Sequence, residues 1–260
     1  MSYWISTDLD GTLLDHNDYN YDAALPALEL CKKQQVPIVL NTSKTQAETQ
    51  ALHQTLNLST PLVVENGSAL IFKGASQDTK IFGQPRSIIL DFIENMRGMH
   101  DIKLSGFNDL GISGIVENTG LSNEAAELAA DKHYSEPFIW HDNQDQFNRF
   151  KALAQENDLD ILKGGRFYHL QGQTDKAKPL RWLKENLECL FSQTPTDPKL
   201  ICLGDNHNDV AMLNIADHPV WVKSAKEPPL LNNQNTATYT QGLGPQGWNE
   251  AILNLLTQSS

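Results

Sequence analysis

Four short apolar runs punctuate the chain: Tyr3-Trp4-Ile5, Pro37-Ile38-Val39-Leu40, Pro61-Leu62-Val63-Val64 and Leu200-Ile201-Cys202-Leu203. Each is too short for an ordinary helix, lacks polar alternation and stops at polar or glycine-rich residues, the pattern of a strand buried on both faces. Helical spacing usually follows. Ala23 to Gln35 sets Leu25, Leu28 and Cys31 near one face. Gln46 to Leu58 begins after Thr45, with Glu48 three positions on, which predicts a capping box. Asp209 to Ile215 begins a third helix. Buried strands alternating with helices predict an α/β fold with a parallel sheet. The polar groups Asp8-Asp10, Asn41 to Thr45, Glu65-Asn66-Gly67 and Gly204 to Asp209 then fall at the carboxyl ends of strands. Sheets of this class bind ligands there.

The middle of the chain breaks this rhythm. Helical patterns run from Arg86 to Arg97, with Gly98 as the expected stop, from Asn123 to His133 and from Gln144 to Asn157. They mix with strand candidates at Pro137–Trp140, Asp160–Lys163 and Arg166–Leu170, and Gly164-Gly165 predicts a hairpin turn. The expected organisation is a core made of residues 1–82 and 172–260, with an α+β insert over 83–171.

Composition narrows the partners. Of 260 residues, 40% are apolar and 20% charged, enough for a packed core, and the net charge of -12 argues against nucleic acid. That charge leaves an anionic substrate open, because a metal ion or a few Lys/Arg side chains can reverse the field locally. Cys31, Cys189 and Cys202 are widely spaced and form no metal-binding or CxxC pattern, as expected of reduced thiols in the cytoplasm. The opening MSYWISTD has no basic region followed by a long apolar run, so no signal peptide is expected. No apolar run approaches the roughly 18 residues of a membrane span.

The chemistry gathers in the acids. Asp8 and Asp10, two apart on an extended segment, point the same way. Carboxylates that close repel unless they share a proton or a cation. Mg²⁺, a hard ion that takes oxygen ligands, fits such a pair. Gly11 permits a sharp turn and Thr12 adds a hydroxyl. A second acidic cluster, GDNHND, carries Asp205 and Asp209 after another apolar run. Either cluster alone reads equally as a turn or a helix cap; the shared strand context brings both to one sheet edge.

These residues also carry a family resemblance. DLDGT at 8–12, Thr42-Ser43 after the second strand, Lys176 after the insert and GDNHND at 204–209 resemble the four motifs of the haloacid dehalogenase superfamily. The resemblance implies a Rossmann-like core with an inserted α+β cap, a Mg²⁺ cofactor and an aspartyl-phosphate intermediate. Asp8 would be the nucleophile and Asp10 the proton donor and acceptor. Mg²⁺ would be held by Asp8, the Asp10 backbone carbonyl and Asp205. Thr42 would bond a phosphoryl oxygen and Lys176 would neutralise charge, a role for which Lys178 competes. Asp209, with Asn208 beside it, is expected to orient Lys176 or a metal-bound water.

The position of the insert matches the type IIB cap, and we expect it to act as a lid. NTSKTQAE at 41–48, ENGSALIF at 65–72, TGLSNEAAELAADKHYSEPF at 119–138 and GGRFYHLQGQTDKAK at 164–178 resemble the mannosyl-3-phosphoglycerate phosphatases. The implied substrate is a small phosphorylated sugar or glycosyl glycerate. Ser43, Lys44, Thr45, Glu65, Asn66 and Arg166 are its candidate contacts, with Ser135, Glu136 and Arg149 as weaker ones. His207 reads as a loop residue near the substrate entrance. The alternatives are another sugar-phosphate phosphatase of the same branch, a phosphotransferase of the same fold and a non-catalytic binding protein.

Overall fold

The computed structural model describes residues 2–72, 78–164, 166–232 and 235–257. The first part contains β1 (Tyr3–Thr7), α1 (Leu25–Gln34), β2 (Ile38–Leu40), α2 (Gln46–Thr55), β3 (Leu62–Val64), β4 (Ala69–Ile71) and β5 (Thr79–Ile81). An insertion follows, with α3 (Arg86–His100), β6 (Leu104–Gly106), α4 (Phe107–Thr119), α5 (Asn123–Ala130), β7 (Ser135–Trp140), α6 (Gln144–Glu156), β8 (Leu159–Lys163) and β9 (Tyr168–Gly172). The chain closes with α7 (Ala177–Glu185), β10 (Lys199–Gly204), α8 (Val210–Ile215), β11 (His218–Lys223), β12 (Thr238–Leu243) and α9 (Gly244–Thr257).

The main sheet has the order β12-β11-β10-β1-β2, with every pairing parallel. Neighbouring residues explain the unbroken apolar runs. Ile5 packs with Leu40, Leu203 and Trp248 on one side of the sheet, while Trp4 packs with Val39, Leu200 and Met212 on the other. Both faces are covered, so neither needs polar residues. β3, β4 and β5 form a small antiparallel sheet that touches β2 through a bridge from Asn41 to Val63. The fold is thus an α/β core with an inserted α+β unit.

The inserted unit has an antiparallel sheet of order β6-β7-β9-β8. Phe138 joins the cluster of Ile89, Phe92, Phe150 and Leu170, whereas its neighbour Ile139 packs against Phe107, Ile115, Ala126 and Phe167. Alternate residues of β7 therefore serve two separate apolar layers.

Several elements depart from the expectation. α3 runs through Gly98 to His100, and Asp101 in the left-handed region closes it by donating its N–H to the Arg97 carbonyl. An exposed glycine weakens a helix by only about 1 kcal/mol, so packing of Ile89, Phe92, Ile93 and Met96 carries it past that residue. α5 stops at Ala130 and not at His133, because the next residues turn onto the core. α4 was not expected; its apolar spacing is interrupted by Gly111, whose φ of 60° and ψ of -176° break the helix. The Gly164-Gly165 turn lies partly outside the described residues, but β8 and β9 pair antiparallel across it. Among the described residues no helix is long and apolar enough to cross a membrane.

Gly67 fixes where the insertion rejoins the core. Its φ is +86°, and a Cβ there would lie 2.0 Å from the Asp175 carbonyl oxygen, next to Lys176. The Thr174 hydroxyl donates to the Gly67 carbonyl at 2.9 Å. Gly67→Ala therefore combines backbone strain with a backbone clash. We expect it to lower unfolding free energy by about 2 kcal/mol or more in urea denaturation. An unchanged midpoint would contradict this close approach.

Candidate active site

The two acidic clusters meet because β1 and β10 pair in parallel, with Thr7 opposite Leu203. Asp8 follows that rung by one residue at the end of β1, and Asp205 by two at the end of β10. The Asp8 N–H donates to the Leu203 carbonyl at 3.0 Å. Trp248 reinforces the turn from behind: its indole N–H donates to the Thr7 hydroxyl at 3.0 Å, and that hydroxyl donates to the Asp8 carbonyl at 2.8 Å. At Gly11, φ is +82° and a Cβ would meet Asp205 Oδ2 at 2.9 Å. The glycine of DLDGT thus lets the two clusters touch.

Lys176 fills the space between the acids. Its fully buried Nζ lies 2.6 Å from Asp8 Oδ1 and 2.6 Å from Asp209 Oδ1. Burial alone would lower the ammonium pKa; Asp209 and Asp8 outweigh it and hold it above its usual range. The other Asp209 oxygen accepts the N–H groups of Asp205 and Asn206 at 3.1 and 3.0 Å. Asp209 is therefore occupied on both oxygens. Lys178, by contrast, is exposed and bonds the Phe82 carbonyl at 3.1 Å.

Asp205 has less support. Among the described residues, one side-chain donor reaches its carboxylate, the Thr12 hydroxyl at 3.3 Å. Burial, and then the charge on Asp8, push its carboxyl up to about 6. Oxygens of Asp8, Asp205 and Asp209 lie within 4.8 Å of one another. The donor set is all oxygen, buried and short of positive charge, so a hard divalent cation fits it.

Asp10 stands apart from this group. Its carboxylate is half-buried and 3.1 Å from Lys44 Nζ, which also lies 3.7 Å from Glu48 and over the Tyr19 ring. Burial pushes the Asp10 carboxyl up, Lys44 pulls it down and Asp8 pushes it up again, with a net rise. Thr42 is buried, and its hydroxyl oxygen accepts the Lys44 N–H at 3.1 Å.

The expected substrate contacts separate into two groups. Ser43 and Lys44 remain half-buried beside Thr42. Thr45 instead caps α2, where its side chain and Glu48 form the predicted capping box, and its hydroxyl donates to the Leu128 carbonyl. Glu65 is buried, and its carboxylate accepts from His133 N–H at 2.9 Å, Tyr134 N–H at 3.2 Å and the Ser135 hydroxyl. These bonds join the core to the insertion and do not support contact with sugar hydroxyls. Asn66 links Asn208 at 3.0 Å to Gln171 at 3.3 Å.

Arg166 turns away from the role expected of it. Its guanidinium donates to the Asn118 and Thr119 carbonyls at the end of α4. Those partners, and not an anion, fix its orientation. Glu136 is fully buried; one of its oxygens takes two guanidinium nitrogens of Arg86 at 2.6 and 2.7 Å, and the other accepts the Asn108 N–H at 2.7 Å. Arg149 and His207 are exposed. Sequence reading missed Trp248 and Asn41; Asn41 donates to the Lys176 carbonyl at 2.9 Å. Its position at the end of β2 was the available signal.

Comparison with known proteins follows this geometry. The family model described as haloacid dehalogenase-like hydrolase matches residues 5–241. A protein of Methanococcoides burtonii named glucosyl-3-phosphoglycerate/mannosyl-3-phosphoglycerate phosphatase is 33% identical, over 100% of this chain and 99% of its own. One of the same name from Persephonella marina is 35% identical, over 98% of this chain and 97% of its own. A solved structure titled as a HAD subclass IIB sugar phosphatase aligns with a TM-score of 0.67 and 15% identity, over 98% and 99% of the two chains. That last likeness concerns the fold. The chain belongs to the haloacid dehalogenase-like hydrolases.

Proposed function

We propose that the protein is a Mg²⁺-dependent phosphatase that passes through a phosphorylated Asp8 and acts on a glycosyl phosphoglycerate. The observation that carries the reading is the buried Lys176 held between Asp8 and Asp209. It leaves Asp8 Oδ2 to attack phosphorus, while the ammonium offsets charge on the phosphoryl oxygens. Thr42 donates its hydroxyl to one of those oxygens. Asp10, whose carboxyl sits above its ordinary range, protonates the leaving oxygen and then takes a proton from the hydrolytic water. Lys44 keeps Asp10 oriented.

Asp8, the Asp10 backbone carbonyl and Asp205 would hold Mg²⁺. When bound, the ion withdraws charge from the phosphoryl group and relieves the repulsion between the acids. The names of the two curated relatives support a glycosyl phosphoglycerate. The three free cysteines suit a cytoplasmic setting. We read residues 83–171 as a cap that closes over the carboxyl ends of the sheet and excludes bulk water. Its docking uses Glu65.

Three outcomes test this reading. Asp8→Asn lowers Mg²⁺-dependent phosphate release from mannosyl-3-phosphoglycerate by about a thousandfold or more, with far-UV circular dichroism unchanged. Turnover near the parent rate would exclude Asp8 as the nucleophile.

Burial and the Asp8 charge push the Asp205 carboxyl up to about 6 from an ordinary 3.8, so metal-free stability falls as pH rises through that window. Asp205→Asn removes this penalty. It raises the metal-free Tm at pH 7.5 by roughly 2–4 °C and abolishes the further rise on adding Mg²⁺. A normal Mg²⁺-induced rise in this variant would remove Asp205 from the metal site.

Glu65→Gln weakens charge-assisted bonds to the segment after α5. Hydrogen exchange at His133 to Ser135 is expected to accelerate about tenfold. Parent-like protection there would show that Glu65 does not hold the cap down.

A further inference from the structure

The inserted unit brings one buried cation against the core. Lys132 follows α5 and is buried, and its Nζ donates to the Ser43 carbonyl at 3.0 Å. Among the described residues no carboxylate forms an ion pair with it; Glu65 on the adjoining loop is committed to the next three residues of the chain. An ammonium has three N–H donors, and one carbonyl leaves two of them to satisfy. A buried charge without a counter-charge is costly, so a site that retains one is built to receive an anion.

A second unsatisfied group lies within electrostatic reach of Lys132. His169 sits on β9 opposite Pro137, and its Nδ1 is buried with no hydrogen-bond partner among the described residues. Burial, and then the charge on Lys132, hold the imidazole down to about 3, so the ring is neutral. His169 shares a sheet face with Gln171, two residues on. Gln171 accepts from Asn66 of the core, which places this face of the cap over the core loops. The carbonyl that Lys132 grips adjoins Thr42, so the cation stands next to the phosphate position yet arrives from the other unit.

We propose that Lys132 and His169 form a carboxylate subsite, which holds the acid group of a phosphorylated hydroxy acid while its phosphate lies against Asp8. This rests on the reading that the Asp8 end of the sheet takes the phosphate. Lys132 gives one carboxylate oxygen a charge-assisted hydrogen bond, and His169 donates Nδ1–H to the other. In a chain of net charge -12, this local cation offsets repulsion of a substrate that carries both a phosphate and a carboxylate.

The test compares two ligands that differ by one carboxylate, 3-phosphoglycerate and glycerol 3-phosphate. Both are titrated calorimetrically into the full chain carrying Asp8→Asn, with Mg²⁺ present. We expect 3-phosphoglycerate to bind about tenfold more tightly or better. Adding Lys132→Met should weaken 3-phosphoglycerate about tenfold more than glycerol 3-phosphate, and Lys132→Arg should keep the preference. His169→Phe should reduce the preference severalfold. Equal affinities before the second substitution, or equal losses after Lys132→Met, would overturn the subsite and leave the phosphatase reading standing. Binding of neither ligand would overturn both. Retained turnover in Asp8→Asn would overturn the nucleophile assignment without changing the comparison of affinities.

Discussion

A single ammonium holds the active end of this fold together. Lys176 is fully buried between Asp8 and Asp209, 2.6 Å from an oxygen of each. Removing it would leave three neighbouring carboxylates without an internal cation, and breaking a buried pair costs about 3–5 kcal/mol. The surrounding structure is arranged to deliver it. Gly67 lets the core loop approach the backbone of Asp175, Asn41 grips the Lys176 carbonyl, and Asp209 is anchored through two N–H groups of its own loop. The lysine comes from the segment that returns from the insertion, so the order of the site depends on how the two units meet.

That meeting is largely polar. Glu65 receives three donors from the residues after α5, Asn66 bridges Asn208 and Gln171, and Lys132 reaches the Ser43 carbonyl. Apart from Tyr134, which reaches from the insertion onto the core cluster, each unit keeps its own apolar clusters. A joint built from hydrogen bonds can open without exposing a large apolar surface, as the proposed lid requires. The same loops that close the joint, Thr42 to Thr45 and Glu65 to Gly67, carry the groups facing the reaction centre. Cap position and site geometry are therefore physically linked.

Much of this was legible in the chain, for definable reasons. β1, β2, β3 and β10 show as unbroken apolar runs because both of their faces are covered. The acidic clusters stand out because charges at strand ends need partners. Lys176 and Lys178 are two residues apart, and the packing of α7 decides which is buried. The seam was far less readable. Glu65 and Thr45 resemble ligand contacts in sequence, but long-range bonds to His133, Tyr134, Ser135 and Leu128 occupy them. Arg166 is turned onto α4, a helix whose glycines hid it from a periodicity reading. Trp248 reads as core but carries a hydrogen bond to the turn that holds Asp8, which no local pattern encodes.

The most direct measurement is chemical capture of the intermediate. The parent enzyme is mixed with mannosyl-3-phosphoglycerate and Mg²⁺, quenched in acid within the first turnover and digested for mass spectrometry. The account predicts a phosphoryl group on the Asp8 side chain of the amino-terminal peptide, absent when Mg²⁺ is withheld. A phosphoryl group found on another residue, or full phosphate release with Asp8 unmodified at every quench time, would contradict it.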